Sequence, residues 1–409
     1  MKTDYELIVV GSGAAGIIAA ITAARKDKRV LLLEKLPKIA SKLKATGGGK
    51  CNLTNTLSNE DFMAKFGRDG RFMQDALKAF DHKNLIQFLH EIGVETHAPD
   101  GFRVFPHSHS SQTIIDALTS QMLKLNITIL CEQRVERILT TGRYISGVKT
   151  QDSTYTTQAL IIATGGLGFS NLGAEGDGYN LACELGHKIT DLNPAMMPLK
   201  TKETWVANCR ADTIAKVELK FALKKHKKLR AKGDLIFTKS GIRGPVVLDF
   251  AREVTPLLKK YKEVPLLLNL TKGMNEEEIL HYLKTHSNSK TDILTLLSTL
   301  LPEPLSRELC ILSKIDPETI YKKIDGAKKE QLIKLLAWTP LTIVGHDGFK
   351  MAMITRGGIS LKEIDPKTMQ SKIIQGLYFC GEIMNLDGPC GGYNLQWSFS
   401  SGFLAGTYC

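Results

Sequence analysis

The feature that most restricts the fold of this chain is a glycine motif close to its start. An apolar run typical of a buried strand, YELIVV at residues 5–10, leads into GSGAAG at residues 11–16. A stretch rich in helix formers, IIAAITAARKD, follows, and then a second apolar strand, RVLLLEK. Glycines at the first, third and sixth motif positions allow a tight turn, the close approach of a pyrophosphate, and packing of the helix on the strand. This order of elements predicts a Rossmann-like α/β domain that binds a dinucleotide.

The second strand ends at Glu34, 21 residues after Gly13, where an acid can accept hydrogen bonds from both hydroxyls of a ribose. The start of the helix supplies free N–H groups and the positive end of its dipole for the phosphates. The first predicted cofactor contacts are therefore Gly11, Ser12, Gly13, Ala14, Ala15, Gly16 and Glu34.

The same motif serves NAD and FAD, and three further features favour FAD. The motif opens the chain, a later strand ends in ATGG at residues 163–166, and the chain closes with GLYFCGEIMNLDGPCGGYNLQWSFSSG. A helix predicted to begin near Gly391 and Gly392 would direct its positive end at the flavin pyrimidine edge, where negative charge collects on reduction. No second GxGxxG occurs, so a separate nicotinamide domain is not expected. FAD is the predicted cofactor, and NAD(P)H is a candidate transient electron donor.

Composition limits the class of protein. The chain has 409 residues, of which 43% are hydrophobic and 23% charged, which is typical of a globular protein of two or three domains. No apolar run approaches the roughly 18 residues of a membrane span. The first residues do not resemble a signal peptide, so we expect a cytoplasmic protein with no membrane partner. The eight cysteines include no CxxC pair, which predicts reduced thiols and no metal site.

Positive charge is concentrated in the middle third of the chain. The formal net charge is +12, and residues 200–334 contain 27 Lys and Arg against 17 Asp and Glu. The densest part is KVELKFALKKHKKLRAK at residues 216–232, with eight basic residues and one acid. Such a segment is either a solvated basic face or a surface for a phosphate backbone. The residues predicted to contact RNA on the second interpretation are Lys224, Lys225, Lys227, Lys228 and Arg230.

Periodicity gives a coarse order of elements along the chain. RFMQDALKAFDHKNLIQFLHEIG indicates helices, and residues 126–166 alternate like a meander of strands. Residues 195–270 are mixed, with the strand-like runs DLIFT and VPLLLNL. Residues 275–336 are predicted to be helical through NEEEILHYLKTH, DILTLLSTLLP, PETIYKKI and KKEQLIKLLAW. Strands return after Pro340.

Seven segments spread over residues 7–402 resemble one bacterial family. They are GSGAAG, TGGGKCNLTN, FRVFPHS, ATGG with GDGYNLACELGH, LIFTKSGIRGPVVL, AMITRGGIS, and GLYFCGE with GGYNLQWSFSSG. On these motifs the chain resembles the BaiN/RdsA-type flavoproteins, also called the aminoacetone-oxidase-like family. The resemblance implies a Rossmann-like FAD domain of the glutathione-reductase type built from both chain ends, and an inserted β-barrel-like domain that carries a helical subdomain. The implied boundaries are 1–193 and 353–409 for the FAD domain, 194–274 and 337–352 for the barrel, and 275–336 for the helical subdomain.

The resemblance implies an FAD-dependent oxidoreductase, but activities in the family differ widely. They include reduction of conjugated double bonds in steroid-like substrates, reduction of uridine in large-subunit ribosomal RNA to dihydrouridine, and oxidation of aminoacetone. We favour a reductase that adds hydride to an activated C=C bond, with uridine in 23S ribosomal RNA ahead of small molecules because of the basic segment. The alternatives are a small-molecule flavin oxidase or reductase, and a non-enzymatic flavin-bearing RNA-binding or sensor protein.

The resemblance also places a second group of cofactor contacts. The glycine run of ATGGGKCNLTN would let the backbone lie against the isoalloxazine ring, and Asn52 could bond flavin heteroatoms. The further predicted contacts are Lys35, Lys42, Gly47, Gly48, Gly49, Asn52, Val135, Ala163, Thr164, Gly165, Gly381, Glu382, Gly391, Gly392, Tyr393 and Asn394.

Cys51 lies two residues after Gly49 and is the candidate catalytic acid or nucleophile beside the flavin. The alternative is a small packing residue, since a thiol in apolar surroundings is inert. His107 and His109, in PHSHS, are either proton donors or exposed loop residues.

Overall fold

The structure, a computed structural model, describes residues 3–409 and separates the chain into two compact units. Unit 1 comprises Met1–Asn193 and Met353–Cys409, and unit 2 comprises Pro194–Ala352. The two ends of the chain therefore build one unit, and the middle of the chain builds the other.

The centre of unit 1 is a five-stranded parallel sheet. Its strands are near-continuous apolar runs, as expected for strands covered on both faces, and those carrying the glycine motif are fully buried. Val10 pairs with both Leu33 and Ile162, so the turns that follow these three strands gather at one edge of the sheet. The strands, in spatial order, are Leu377–Phe379, Leu160–Ile162, Leu7–Val10, Val30–Leu33 and Thr128–Leu130.

Eight α-helices accompany this sheet in the described part of unit 1. The first and last of them run parallel in direct backbone contact: a Cβ at Gly402 would lie 2.3 Å from the Ala15 carbonyl oxygen, and one at Gly406 would lie 2.4 Å from the Ala19 oxygen. The helices are Ala14–Ala24, Ser41–Ala45, Asn59–Ala64, Gln74–Ala79, His82–Glu91, Ser111–Lys124, Asp177–Glu184 and Tyr393–Tyr408.

Two small antiparallel sheets complete unit 1. One supports the segment after the glycine run, and the other is the meander expected from the alternating residues 126–166. The first has the order Thr54–Asn55, Arg103–Pro106, Thr96–His97, and the second has the order Val135–Thr141, Tyr144–Thr150, Thr154–Thr156. A short strand lies at Ile354–Arg356, and another, Asn193–Ala195, spans the point in the sequence where unit 1 ends and unit 2 begins.

Unit 2 is built on a closed barrel of six antiparallel strands. Alternating residues of these strands fill the interior, where the Phe221 and Phe237 side chains are fully buried. In order around the barrel, the strands are Leu199–Thr201, Gly241–Arg243, Arg230–Thr238, Thr213–Phe221, Val264–Asn269 and Thr339–His346.

Five α-helices belong to unit 2: Pro245–Tyr261, Glu276–His286, Ile293–Ser298, Glu303–Leu312 and Gly326–Ala337. The first lies in the stretch predicted to be mixed, and the fourth lies within residues 275–336, which are predicted to be helical, between two of the runs named there. The prediction was wrong for PETIYKKI, which forms only one 3₁₀ turn. Ile320 there is not helical and forms a β-bridge to Asp292, so tertiary pairing overrides local helix propensity. Within residues 3–409, every helix is too short or too polar to cross a membrane.

Candidate active site

The glycine motif forms a turn in which the three glycines play different structural roles. Gly11 has φ +101°, and a Cβ there would lie 2.6 Å from the Ala163 carbonyl oxygen. A Cβ at Gly16 would lie 1.9 Å from the Gly11 oxygen. Gly13 differs, because its φ is −73° and a Cβ there would meet no atom of a neighbouring segment within 4 Å. The fold therefore requires glycine at the outer two positions, whereas the space at Gly13 is free for a ligand.

The helix that begins after Gly13 presents uncapped N–H groups. Ala14–Ala24 starts with Gly13 as its N-cap, and no side chain caps it. The first N–H groups of a helix have no partner within the helix, and the dipole makes this end attractive to anions. Gly13 leaves the approach open, so this turn fits a pyrophosphate.

A cleft of about 840 Å³, part of it open to solvent, lies along this turn within unit 1. It brings together predicted contacts that are as far apart in sequence as Gly11 and Gly165. The predicted contacts that line it are Gly11, Ser12, Gly13, Glu34, Lys35, Lys42, Val135, Ala163, Thr164 and Gly165. Ala14, Ala15 and Gly16 lie in the adjoining helix and do not line this cleft.

The Thr164 side chain in the wall of the cleft has an unused hydrogen-bonding group. Its Oγ1 is buried and has no hydrogen-bond partner within residues 3–409. Buried hydroxyls without partners are uncommon in native proteins, because they lose hydration without compensation. A ligand in the cleft would supply the partner, so this residue, like Gly13, fits an elongated polar cofactor.

Glu34 is already engaged in holding the turn. Its carboxylate accepts hydrogen bonds from the Ser12 N–H at 3.0 Å and the Leu36 N–H at 2.9 Å, and also from the Ser12 hydroxyl. A carboxylate oxygen can accept more than one hydrogen bond, so these contacts leave capacity for a ribose hydroxyl. The contact with both ribose hydroxyls stays a prediction.

The two lysines predicted to touch the cofactor are both ion-paired within the protein. Lys42 Nζ lies 2.6 Å from Glu382 Oε2, and Lys35 Nζ lies 3.1 Å from Glu175 Oε2 and also contacts Asp177. Both lysines line the cleft. Their charges are therefore largely neutralised at the cleft wall.

Glu382 belongs to a segment that is fixed against the first helix. Its Oε1 accepts a hydrogen bond from the Thr355 N–H at 2.9 Å while its Oε2 faces Lys42. The preceding Gly381 has φ +79°, and a Cβ there would lie 2.9 Å from the Ala15 Cβ. Glycine at this position lets the segment pack directly on the helix that carries the anion-binding turn.

The glycine run at 47–49 is a left-handed loop with one open side. Gly47, Gly48 and Gly49 have φ values of +58°, +65° and +89°. A Cβ at Gly47 would lie 2.8 Å from the Asn52 nitrogen, but neither Gly48 nor Gly49 has such a neighbour within 4 Å. The backbone conformation alone favours glycine here, and the open side leaves room for a flat ligand.

Cys51 is held in the same unusual backbone region and is inaccessible. Its φ is +60°, and its side chain is 0% exposed. Burial raises the pKa of the Cys51 thiol to about 11, although a hydrogen bond with Thr46 opposes this shift. The thiol therefore keeps its proton near neutral pH. These observations favour a packing role, and the catalytic role stays a prediction.

Asn52 connects the glycine loop to the start of the last helix. With its amide oriented to satisfy both neighbours, it accepts from the Gly392 N–H at 3.2 Å and donates to the Thr54 carbonyl at 3.1 Å. Gly392 packs closely here, since a Cβ would lie 2.5 Å from the Thr54 oxygen. Buried Asn55 adds a 2.9 Å bond to the Gly391 carbonyl.

The last helix presents a second positive dipole end. Tyr393–Tyr408 begins after Gly392, which has no side chain to cap the helix, and Asn52 accepts from the Gly392 N–H. Gly402 packs on Ala15, so this helix starts eight residues further from the contact than the first helix does. At 1.5 Å per residue, its positive end projects about 12 Å beyond the pyrophosphate turn in the same direction. Two parallel positive ends at this offset suit the phosphates and the flavin ring of one FAD molecule.

Two other predicted contacts near this helix end have clear structural partners. Asn394 accepts from the Gly388 N–H at 2.7 Å and donates to the Gly388 carbonyl at 2.9 Å. The Tyr393 ring is buried and lies 5.0 Å from the Phe62 ring. Both residues shape the turn before the helix, and their contact with a cofactor stays a prediction.

The histidines of PHSHS meet a third histidine. The His97 ring lies 5.2 Å from the His107 ring and 4.6 Å from the His109 ring. No local pattern pointed to His97, which reaches the others through strand pairing of Thr96–His97 with Arg103–Pro106. Within residues 3–409 no group of histidine, cysteine or acid side chains is arranged to hold a metal ion.

Residues 5–408 match the family described as HI0933-like protein Rossmann domain. The chain belongs to the HI0933-like family. It is 30% identical to the 3-dehydro-bile acid delta(4,6)-reductase of Clostridium scindens, over 97% of each chain. It is 29% identical to the ribosomal RNA dihydrouridine synthase of Haemophilus influenzae, over 98% of each chain.

A solved structure shows the same fold. The open conformation of a flavocytochrome c3 fumarate reductase matches with a TM-score of 0.53 and 18% identity, over 99% of this chain and 78% of that one. The predicted fold class is confirmed, including the closed barrel. Membership identifies the HI0933-like chain as an oxidoreductase of a flavoprotein family, which implies FAD as its cofactor.

The basic segment of the HI0933-like chain is a hairpin of the barrel in unit 2. Strands Thr213–Phe221 and Arg230–Thr238 pair antiparallel, and a 3₁₀ turn at Lys224–His226 lies between them. Arg230 is ion-paired with Glu218 at 2.9 Å. The four lysines of the tip are exposed and form no ion pair with any residue from 3 to 409: Lys224, Lys225, Lys227 and Lys228.

Proposed function

We propose that this protein is an FAD-dependent reductase that adds hydride to an activated C=C bond, with uridine in 23S ribosomal RNA as the favoured substrate. The observation that carries the cofactor is Gly13, whose open Cβ position and uncapped helix leave space for a pyrophosphate. The observation that carries the substrate is the cluster of unpaired lysines at the hairpin tip.

Different residues of the cleft would bind different parts of FAD. The Gly11–Gly13 turn would hold the pyrophosphate, Glu34 a ribose, and Thr164 a polar group in the cleft. The loop at 47–49 and the start of Tyr393–Tyr408 would border the flavin. FAD, when bound, supplies the hydride, with NAD(P)H as the proposed source of electrons.

The second atom added to the double bond is a proton from a protein acid or from water. Cys51 carries a proton at neutral pH because its pKa is about 11, but its burial argues against direct contact with substrate. His107 and His109 are exposed, and imidazole is a frequent proton donor in enzymes, so they are the alternative donors.

Two observations support RNA as the substrate. The hairpin tip exposes four lysines without acidic partners, which is more charge than solubility requires. The Haemophilus influenzae relative is a ribosomal RNA dihydrouridine synthase. Lysines of this kind bind a phosphate backbone without reading its sequence.

A small-molecule substrate is the second candidate. The Clostridium scindens relative reduces a bile acid and is matched at a similar identity over a similar span. An enone of a steroid-like acid has the same activated C=C bond as uridine, so the same flavin chemistry would serve it. The non-enzymatic alternative loses support, because the relatives named above are enzymes.

Nucleoside analysis of 23S ribosomal RNA, from cells with and without the protein, tests the proposal directly. We expect dihydrouridine to disappear at one position when the protein is absent, and to return with the wild-type gene. Unchanged RNA, together with turnover of a steroid-like enone by the purified protein, would establish the second candidate. A purified protein that binds no FAD would remove both.

The role of the hairpin is tested by salt dependence. If about five phosphates are neutralised, log affinity for ribosomal RNA fragments should fall against log salt with a slope near −4. Replacing Lys224, Lys225, Lys227 and Lys228 by Gln should flatten this slope and leave FAD absorbance unchanged. The matched control replaces four exposed lysines of the helical segment, Lys284, Lys290, Lys322 and Lys328. Equal slopes for both variants would contradict the assignment.

A further inference from the structure

A glycine-rich segment, residues 165–176, crosses one wall of the cofactor cleft. We call it the strap. It leaves the end of strand Leu160–Ile162 and leads into helix Asp177–Glu184. The strap residues that line the cleft are Gly165, Leu172, Gly173, Ala174 and Gly176.

The near end of the strap is firmly fixed. Thr355 Oγ1 accepts hydrogen bonds from the Leu167 N–H at 2.7 Å and the Gly168 N–H at 3.2 Å. The backbone is packed closely there, since a Cβ at Gly168 would lie 2.9 Å from the Ile354 nitrogen. This end cannot move without breaking these contacts.

The middle of the strap is held by packing alone. Its hydrogen bonds are internal, from the Leu172 N–H to the Phe169 oxygen and from the Gly173 N–H to the Ser170 oxygen. Within residues 3–409, residues 169–174 make no hydrogen bond to another segment. Gly173 rests on the Leu36 side chain, to which a Cβ would come within 2.8 Å.

The far end is tied by four charged side chains, which we call the clasp: Lys35, Arg134, Glu175 and Asp177. Arg134 lies 2.5 Å from Glu175 Oε2 and 2.9 Å from Asp177 Oδ1. Lys35 lies 3.1 Å from Glu175 and also contacts Asp177. The hydrogen bond from Arg134 holds the pKa of Glu175 below its usual value. Each cation thus meets both anions.

The clasp joins the two walls of the cleft. Lys35 directly follows Glu34, and Arg134 directly precedes Val135. Glu34, Lys35, Arg134 and Val135 all line the cleft. Glu175 and Asp177 belong to the end of the strap and the start of the next helix. The ion pairs therefore close the strap over the end of the cleft that contains Glu34.

We propose that the clasp closes the strap over bound FAD, so that Lys35 and Arg134 act as retaining residues and clasp opening sets the rate of cofactor loss. This inference rests on the proposed function only in that FAD occupies the cleft. It also reassigns Lys35, which holds the strap in place of contacting the cofactor.

The competing explanation is that Lys35 and Arg134 attract the cofactor phosphates directly. Removing the charge of Glu175 distinguishes the two explanations. If Lys35 and Arg134 mainly attracted the phosphates, Glu175→Gln would leave them with less competition and slow FAD release. If they hold the strap, the same substitution removes two ion pairs and speeds release. Arg134→Gln speeds release under both explanations and so serves as the second variant.

The experiment uses the FAD-loaded full chain, diluted until the cofactor dissociates, with free-flavin fluorescence as the readout. Loss of two half-exposed ion pairs should speed release about 2–30-fold for Glu175→Gln. Arg134→Gln should do the same, and the double variant should speed release by less than the product of the two single effects, because both single variants break the same Arg134–Glu175 pair. Glu136→Gln, an exposed acid on the neighbouring strand, is the matched control and should leave the rate unchanged.

Salt gives an independent readout. Wild-type release should accelerate with ionic strength because the clasp is screened, whereas release from Glu175→Gln should change less. Release from Glu175→Gln that is equal to or slower than wild type would overturn the clasp while leaving the cofactor assignment intact. Absence of FAD from the wild-type protein would instead overturn the proposed function.

Discussion

The turn at residues 11–16 and the loop at residues 47–49 are both glycine-rich, yet they depend on glycine for different reasons. In the turn, the glycines at both ends are required by close contacts with the protein itself, and only Gly13 faces open space. In the loop, all three glycines have positive φ, and two of them face open space. The turn needs glycine mainly because its neighbours pack so closely, and it leaves one position open to a ligand. The loop needs glycine because of its left-handed backbone, and one of its sides is open.

The largest expected effect is at Gly16. A Cβ there would lie 1.9 Å from the Gly11 oxygen, so Gly16→Ala must displace the first helix from the sheet. We expect a loss of about 3 kcal/mol or more in the free energy of unfolding, at the upper end for overpacked cores. Urea unfolding followed by circular dichroism measures it. A loss below about 1 kcal/mol would show that the turn can relax around the added methyl group.

Gly13→Ala should separate ligand binding from folding. Its Cβ meets no neighbouring protein atom and its φ suits any residue, so stability should stay within about 1 kcal/mol of wild type. FAD affinity should fall at least about tenfold, because the methyl group occupies space assigned to the pyrophosphate. Isothermal titration of the apoprotein with FAD tests this. Unchanged affinity would mean that the pyrophosphate lies elsewhere.

Gly48→Ala should show the cost of backbone shape alone. The new methyl group has open space, but φ is +65°, which disfavours an L-residue by about 1 kcal/mol. Thermal unfolding should register this modest loss. If FAD binding falls far more than stability, the open side of the loop faces the cofactor; if the two fall together, the loop is purely structural.

The smallest expected effect is at Cys51, a buried residue just after the glycine loop. Because its pKa is about 11, only about one thiol in a thousand is ionised at pH 8, and iodoacetamide should label exposed Cys183 and leave Cys51 unmodified. Cys51→Ala should change turnover by less than about tenfold if the residue packs. A loss of about 10²–10⁴-fold would instead assign it as the general acid.

Local sequence patterns predict most of the fold. The glycine spacing and apolar strands predicted the Rossmann sheet, because those signals depend on near neighbours in sequence. Helix Pro245–Tyr261 does not follow from the local pattern, because its apolar positions stand in a segment of mixed periodicity. Ile320 does not form the predicted helix because it forms a β-bridge with Asp292, and no local sequence pattern predicts that pairing.

The candidate site was predictable where sequence spacing sets geometry, and not where distant side chains meet. Gly13 follows from the motif. Lys35 is separated from Glu175 by 140 residues, so its ion pair could not be anticipated. The burial of Cys51 and the unpartnered Thr164 hydroxyl likewise depend on how separate elements pack.

The position of strand Leu377–Phe379 at one edge of the parallel sheet has a consequence for synthesis of the protein. Its partner, Leu160–Ile162, leaves the ribosome 217 residues earlier, since Leu160 pairs with Leu377. At ordinary elongation rates this apolar strand waits about 10–40 s for its neighbour while unit 2 is made. During that time it is a bare sheet edge of the kind that pairs with other chains. The nascent chain is therefore most prone to aggregation in the interval before its last strand arrives, and a chaperone that shields this edge would raise the yield of folded protein.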